Sequence, residues 1–348
     1  MQQTDTLDRA ALAQIRDAHR GPRPWALLKA MLFDYAVLAC VIAAMVSLAW
    51  GPWFWALLPI AWVIIAARQH ALLVLMHEAT HSLAHPLRWV NEFWGEVLLG
   101  APMLVSMRKY RQDHLAHHRH ANSDLDPDWV RKLGSAEEAA YWQFPVAGNG
   151  FSFLLRSWVR SIGYLIRSFT HLTGVTRHQG EPGTVQTRSR LEQRIGQARG
   201  LFYGAMVLTL SLVGGWGFFI ALWLAPILLV LPIIMRLRSI AEHFALPCDT
   251  VLNSTRSILC GPVERFLFAP HHINYHLEHH LIASVSFAEL PALHAALMQQ
   301  PAYAAGAALN DSYLWGPGSL RADMTTQPRK SPAVVSPATA AWHGRAPV

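Results

Sequence analysis

Residues 271–280 of this chain read HHINYHLEHH, so histidine fills five of ten positions. The last five of them, His276–His280, have the spacing His-x-x-His-His, and His114–His118 repeats that spacing. On a helix, residues three and four apart lie on one face, with Cβ atoms about 5–6 Å apart. Imidazoles held this close repel each other when protonated, whereas neutral imidazole is the commonest metal ligand. The two triplets therefore predict a metal site.

The composition of the chain indicates a membrane protein. Of its 348 residues, 52% are hydrophobic and only 15% are charged, whereas soluble domains carry about 25% charged residues. The net charge of +7 is unevenly distributed, since residues 30–67 contain no Lys or Arg and residues 200–235 contain no charge. We therefore expect the partners to include a bilayer and no nucleic acid.

A membrane span needs about 20 apolar residues; the first apolar block holds two such spans, and the second is tight but can hold two shorter ones. We predict four transmembrane helices in two hairpins, at about residues 25–50, 51–76, 201–217 and 218–236. The turns within the hairpins carry no basic residue, so the positive-inside rule places both termini and the histidines in the cytoplasm. In a bacterium the membrane would be the inner one. The predicted fold is an all-α integral membrane protein whose cytoplasmic helical cap holds a di-metal site.

Three regions follow from this topology. Residues 1–24 are polar, lack the apolar core of a signal peptide and predict an amphipathic cytoplasmic segment at the bilayer surface. Residues 25–300 form the catalytic membrane domain, in which Asp34 is expected at the interface. Residues 301–348 are predicted to form a C-terminal tail, which is disordered from residue 316 because residues 316–348 are rich in Pro, Ala and Ser.

Further histidines extend the predicted site. The second span runs into His77-Glu78-Ala79-Thr80-His81, in which the two histidines are spaced to share a helix face. His243 follows the cytoplasmic end of the fourth span by about two turns, much as His77 lies at the end of the second. The roles of His85, His120 and His272 stay open. Acidic residues after the second triplet, at positions 124, 126 and 128, are candidates to hydrogen-bond ligand imidazoles.

Nine histidines are thus candidate ligands: His77, His81, His114, His117, His118, His243, His276, His279 and His280. A structural zinc takes four ligands, so nine imply two ions, and imidazole suits Fe, Cu, Zn or Ni. Two alternatives remain at this point. His-Glu-x-x-His is also the zinc metalloprotease motif, and a metal transporter would need ligands near the middle of its spans.

The order and spacing of the histidines resemble the three histidine boxes of the membrane fatty acid desaturase superfamily. The boxes correspond to His77–His81, His114–His118 and His276–His280, and the resemblance covers roughly residues 25–300. It implies two non-haem irons, O₂ as co-substrate, and electrons from a separate ferredoxin-, rubredoxin- or cytochrome-type protein. The activity it implies first is desaturation of a fatty acyl chain. Hydroxylation or ketolation of a lipid or carotenoid is the alternative, because Asp126-Pro127-Asp128 is similar to a segment of carotenoid ketolases.

Overall fold

The computed structural model describes residues 7–123, 125–128, 189–244 and 246–326. The chain divides into two compact units. The first unit comprises Met1–Arg23, Gln112–Phe153 and Met235–Val348, and the second comprises Pro24–Arg111 and Leu154–Ile234. His171 and His178, which have no partner in the predicted site, lie outside the described residues.

The described residues are mostly helical. The α-helices are α1 Arg9–His19, α2 Pro24–Ser47, α3 Pro52–Thr80, α4 Arg88–Phe93, α5 Met107–His120, α6 Arg190–Leu212, α7 Trp216–His243, α8 Pro262–Leu267, α9 His276–Leu281, α10 Leu290–Leu297, α11 Pro301–Gly306 and α12 Leu320–Thr326. A π-helix, Trp94–Gly100, follows α4, and a π-helical turn, Ile220–Leu224, lies within α7.

Three helices of the described chain are long and apolar enough to cross a membrane, namely α2, α3 and α7. Proline at the first position of α3 starts that helix directly after the turn at Gly51. The predicted span at 201–217 falls instead on α6, whose first ten residues include four charged side chains. Four spans therefore remain a prediction, with three helices that fit the requirement.

A buried ion pair joins α2 and α3 within the second unit. Arg68 Nη1 donates to Asp34 Oδ1 at 2.9 Å, and both side chains are buried. The antiparallel hairpin brings an arginine of α3 beside Asp34, and an ionised carboxylate is buried only when it is paired. The position of Asp34 at the membrane interface remains a prediction.

Between α3 and α5, the apolar stretch Glu96–Val105 has only ten residues and is broken by Gly-Ala-Pro, so it is too short to cross the bilayer. Its π-helix packs against α3, and Glu96 accepts from the backbone N–H of Arg108 at 3.1 Å and pairs with Arg199. Trp223 of α7 donates to the carbonyl of Pro102 at 2.8 Å. These contacts fix the segment within the second unit.

The first unit contains two features that the sequence did not predict. Ser257–Ile258 (β1) and Leu309–Asn310 (β2) form a short parallel ladder, so the fold is not entirely helical. The chain also stays folded past residue 316, because Leu320 is buried and Asn310 Nδ2 donates to Asp323 Oδ2 at 2.6 Å. Leu320–Thr326 thus forms a helix where the sequence predicted a disordered tail, and the domain boundary at residue 300 remains a prediction.

The N-terminal segment does form the predicted helix, α1, and it docks through its polar side chains. His19 Nδ1 lies 3.0 Å from one carboxylate oxygen of Glu289, and Arg23 Nε donates to the other at 3.0 Å. Asp8 caps the start of α1 by accepting from the backbone N–H of Ala10 at 2.8 Å. The position of this helix at a bilayer surface remains a prediction.

Candidate metal centre

The parts of three helices that lie in the first unit supply the histidines that come together there. The triplet at His114–His118 lies in the last turns of α5, and the triplet at His276–His280 makes up most of α9. His243 is the last residue of α7. The rigid helix ends place these side chains without any loop residue among them.

One group contains four buried imidazoles, with ligand nitrogens within 4.8 Å of one another: His117, His243, His276 and His280. Within it, His276 Nε2 lies 2.9 Å from His243 Nε2. The ring of His280 packs against those of His117 and His243, with centroids 5.1 and 5.2 Å apart. The structure thus places His243 beside both triplets, where its position in the sequence had suggested it.

A second group in the same unit contains His114, His118 and His279, whose ligand nitrogens also lie within 4.8 Å. The Nε2 atom of His118 is 2.9 Å from that of His114 and 3.0 Å from that of His279. The two groups are neighbours, because the rings of His118 and His280 stack with centroids 4.2 Å apart.

Each His-x-x-His-His triplet is divided between the two groups. In α5, the first and last histidines of the triplet enter one group and His117 enters the other. In α9, His279 is the residue that separates from its neighbours. The division follows from helix geometry, since a residue at i+3 points about 60° to one side of i and a residue at i+4 about 40° to the other.

The distances between nitrogens fit metal ligation. Two nitrogens bound about 2.1 Å from one ion at a right angle lie about 3 Å apart. Hydrogen bonding alone fits poorly at His118, because one ring nitrogen carries either a proton or a lone pair and His118 Nε2 meets two others. The residues therefore fit two neighbouring metal ions.

His77 and His81 lie at the end of α3, in the second unit. Their ring centroids are 4.9 Å apart, as i and i+4 positions predict. Burial and, secondarily, the positive charge of Arg111 lower the pKa of His81 to about 3. The ring is therefore neutral at physiological pH and offers a lone pair to a metal.

The same protonation state holds in the first unit. Burial is the main cause that lowers the pKa of His276 and of His280 well below the usual value, and neighbouring imidazoles lower both further. Metal ligation requires neutral imidazole. The site thus keeps these two rings in the form that binds a metal.

Acidic residues around the histidines orient the rings. His117 Nδ1 lies 2.8 Å from Asp126 Oδ2, and that carboxylate also accepts from the backbone N–H groups of Asn122 and Asp128. Asp126 therefore contacts a candidate ligand imidazole. Asp124 lies outside the described residues.

Sequence reasoning missed three residues that hold the helix ends in place. Glu242 lies 3.6 Å from His276 Nδ1, and Glu278 contacts His294. Arg256 is buried and donates to the carbonyls of Ala241 at 3.1 Å and Phe244 at 3.4 Å, at the end of α7. Glu242 and Glu278 each adjoin a candidate histidine in the sequence, and this adjacency could have identified them. No feature of the sequence pointed to Arg256.

The remaining histidines make other contacts. His85 Nδ1 accepts from the backbone N–H of Leu87 at 3.0 Å, and His272 lies beside Tyr275. Neither these two nor His120 belongs to a potential metal group among the described residues. His294 contacts Glu278, which lies between two candidate ligands in the sequence.

Comparisons with known proteins agree with the geometry. The fatty acid desaturase family model matches residues 53–312. An sn-1 oleoyl-lipid 12-desaturase of Anabaena variabilis is 32% identical over 34% of this chain and 33% of its own length. That of Arthrospira platensis is 25% identical over 71% and 70%, respectively. The dihydrorhizobitoxine desaturase of Bradyrhizobium elkanii is 26% identical over 79% of this chain and 76% of its own.

A zinc protease or a metal transporter would not explain these matches together with the two divided triplets. The family match extends over most of the chain and includes all three histidine boxes. The chain belongs to the fatty acid desaturase family and is a desaturase-like oxidoreductase with histidine groups that can bind metal.

Proposed function

We propose that this protein is an O₂-dependent, di-iron membrane desaturase that forms a C=C bond in a fatty acyl chain of a lipid. The observation that carries the proposal is the division of the triplets of α5 and α9 into two adjacent groups. Adjacent groups suit a pair of ions, and family membership makes iron the metal we assign. The ligands we propose are the nine histidines identified from the sequence, including His77 and His81 of α3.

When bound, the iron pair would supply the O₂ chemistry needed to remove hydrogen from an unactivated C–H bond. The residues of the chain hold and orient that pair. His276 and His280 are kept neutral by burial, and Asp126 directs the ring of His117 through its Nδ1. Burial of the ligand rings also restricts water, which limits reactions other than that of the bound substrate.

Electrons would come from a separate ferredoxin-, rubredoxin- or cytochrome-type protein on the cytoplasmic side. The distribution of Lys and Arg supports this sidedness, because the hairpin turns at residues 48–52 and 213–217 carry no positive charge. In a bacterium, the enzyme would reside in the inner membrane with both termini in the cytoplasm.

A second candidate is desaturation of a small molecule other than a lipid. The relative from Bradyrhizobium elkanii, named for dihydrorhizobitoxine, aligns with 79% of this chain. Relatives named for an oleoyl lipid align over comparable or shorter shares. The substrate class therefore has to be decided by product analysis.

The test is mass spectrometry of the acyl chains from a host that expresses the protein. We expect a new double bond with the wild-type chain and with His85→Ala, which alters a histidine outside the metal groups, but not with His279→Ala. Purified wild-type protein should contain about two irons per chain. An added hydroxyl or keto group would support the hydroxylase or ketolase alternative. Unchanged lipids with an intact iron site would favour the small-molecule candidate, for which dihydrorhizobitoxine is the first probe.

A further inference from the structure

Glu278 lies between candidate ligands in sequence but points away from them. On a helix each residue advances about 100°, so Glu278 falls roughly opposite the mean direction of His276, His279 and His280. Its side chain is fully buried. A buried carboxylate costs several kcal/mol unless it is well hydrogen-bonded, so its partners matter.

Three side chains from three other elements converge on this carboxylate. Tyr303 of α11 donates its hydroxyl to Oε1 at 2.7 Å, and His294 Nδ1 of α10 contacts the same oxygen. Ser257 of β1 donates its hydroxyl to Oε2. The Ser257 hydroxyl also accepts from the backbone N–H of Leu277 at 3.0 Å, so it holds α9 twice.

The helix that these contacts hold, α9, is too short to be stable by itself. α9 has only six residues, whereas isolated helices shorter than about 12–15 residues are marginal in water. Its direction must therefore come from tertiary contacts. One further pair anchors its start, since Ile258 N donates to the carbonyl of Asn274 and Asn274 Nδ2 returns a bond to the carbonyl of Ile258, both at 2.9 Å.

We propose that Glu278 is a positioning residue for the metal centre. Its carboxylate, gripped by Ser257, His294 and Tyr303, fixes the rotation of α9 and thus the orientation of the three histidines on the opposite face. The inference rests on the proposed function, because it concerns the same metal centre. It gives His294 and the segment after residue 300 a role that neither the boxes nor their spacing assigns.

The test compares Glu278→Gln with Glu264→Gln in the full-length, iron-loaded protein. Glu264 is a matched control in the same unit: it is buried and accepts from Ser312 Oγ at 2.8 Å and from two backbone N–H groups. In Glu278→Gln, the amide NH₂ must face one of the three donors. We expect release of iron to a chelator to be about 10–100-fold faster, as for changes around metal ligands, and an altered Mössbauer spectrum. Glu264→Gln should release iron within twofold of the wild-type rate with an unchanged spectrum.

A second pair of variants tests the contact if Glu278→Gln does not fold. Asn places an amide N–H near the position of His Nδ1, so His294→Asn should restore the wild-type spectrum and release rate that His294→Ala loses. Wild-type behaviour in Glu278→Gln or His294→Ala would overturn the proposal, as would equal losses in Glu264→Gln. A wild-type chain that takes up no iron would instead overturn the proposed function, on which this inference depends.

Discussion

At His117, one contact determines which ring nitrogen is available to a metal. Asp126 lies against Nδ1, and its position is itself fixed by the backbone N–H groups of Asn122 and Asp128. An imidazole that directs Nδ1–H to a carboxylate presents Nε2 to the ion and is a more basic ligand. The acidic residues after the second box were open candidates, and Asp126 is one that contacts a candidate ligand.

Loss of this contact should weaken the centre without removing a ligand. For Asp126→Ala we expect about 10–100-fold weaker iron binding, measured by competition with a chelator. Asp17→Ala, on the surface of α1, is the control and should bind iron like the wild type. Unaltered affinity in Asp126→Ala would show that this carboxylate does not orient His117.

Among the nine proposed ligands, His243 has the least support from neighbouring residues in the sequence, because it belongs to no triplet. Its Nε2 lies 2.9 Å from that of His276, so we expect His243→Ala to lose iron and desaturation together. His272→Ala, altered close to α9 but outside the groups, should keep at least one of the two irons and measurable activity. A full iron content in His243→Ala, determined by elemental analysis, would contradict the assignment of His243 as the ninth ligand.

At the scale of elements, close packing of helices places His77 and His81. Gly95 of the π-helix has no room for a side chain, since a Cβ there would lie 2.7 Å from the Cβ of Ala79 and 2.0 Å from Sδ of Met107. Ala79 stands between the two histidines at the end of α3. The approach of the π-helix therefore limits how that end can be arranged.

Enlarging this glycine should disturb the second unit. Overpacking of this kind costs about 1–3 kcal/mol, so Gly95→Ala should lower the midpoint of thermal unfolding in detergent and reduce iron content. Gly204→Ala is the matched control, because a Cβ at Gly204 meets nothing within 4 Å and alanine favours helix. Equal unfolding midpoints for the two variants would refute the steric argument.

At the scale of the whole molecule, the proposed sidedness in the membrane would place the histidines on the side of the proposed electron donor. Reporter tags after Arg23 and after Val348 should report the cytoplasm, whereas tags at Gly51 and Gly215 should report the opposite side. The reason is the absence of positive charge from both turns. A Gly215 tag on the cytoplasmic side would mean that α6 does not cross, and with it that the four-span prediction fails.

Local features of the sequence were sufficient to predict the family and the apolar helices α2, α3 and α7, whereas the nine histidines remain proposed ligands. Hydropathy over 20 residues and the spacing of three histidines depend only on residues close together in the chain, so folding does not change them. Hydropathy also indicated His243 as a candidate ligand, because a helix that leaves the membrane continues in the direction of its span.

Tertiary structure alone decided which histidines of different helices share a group, that Asp126 meets His117, and what holds α9. These depend on contacts between residues far apart in the chain, such as Glu278 with Tyr303 and Asp34 with Arg68. The sequence alone does not predict that a polar side chain is buried when its burial depends on a partner far away in the chain. That partner is chosen by the packing of helices, which one helix cannot specify by itself.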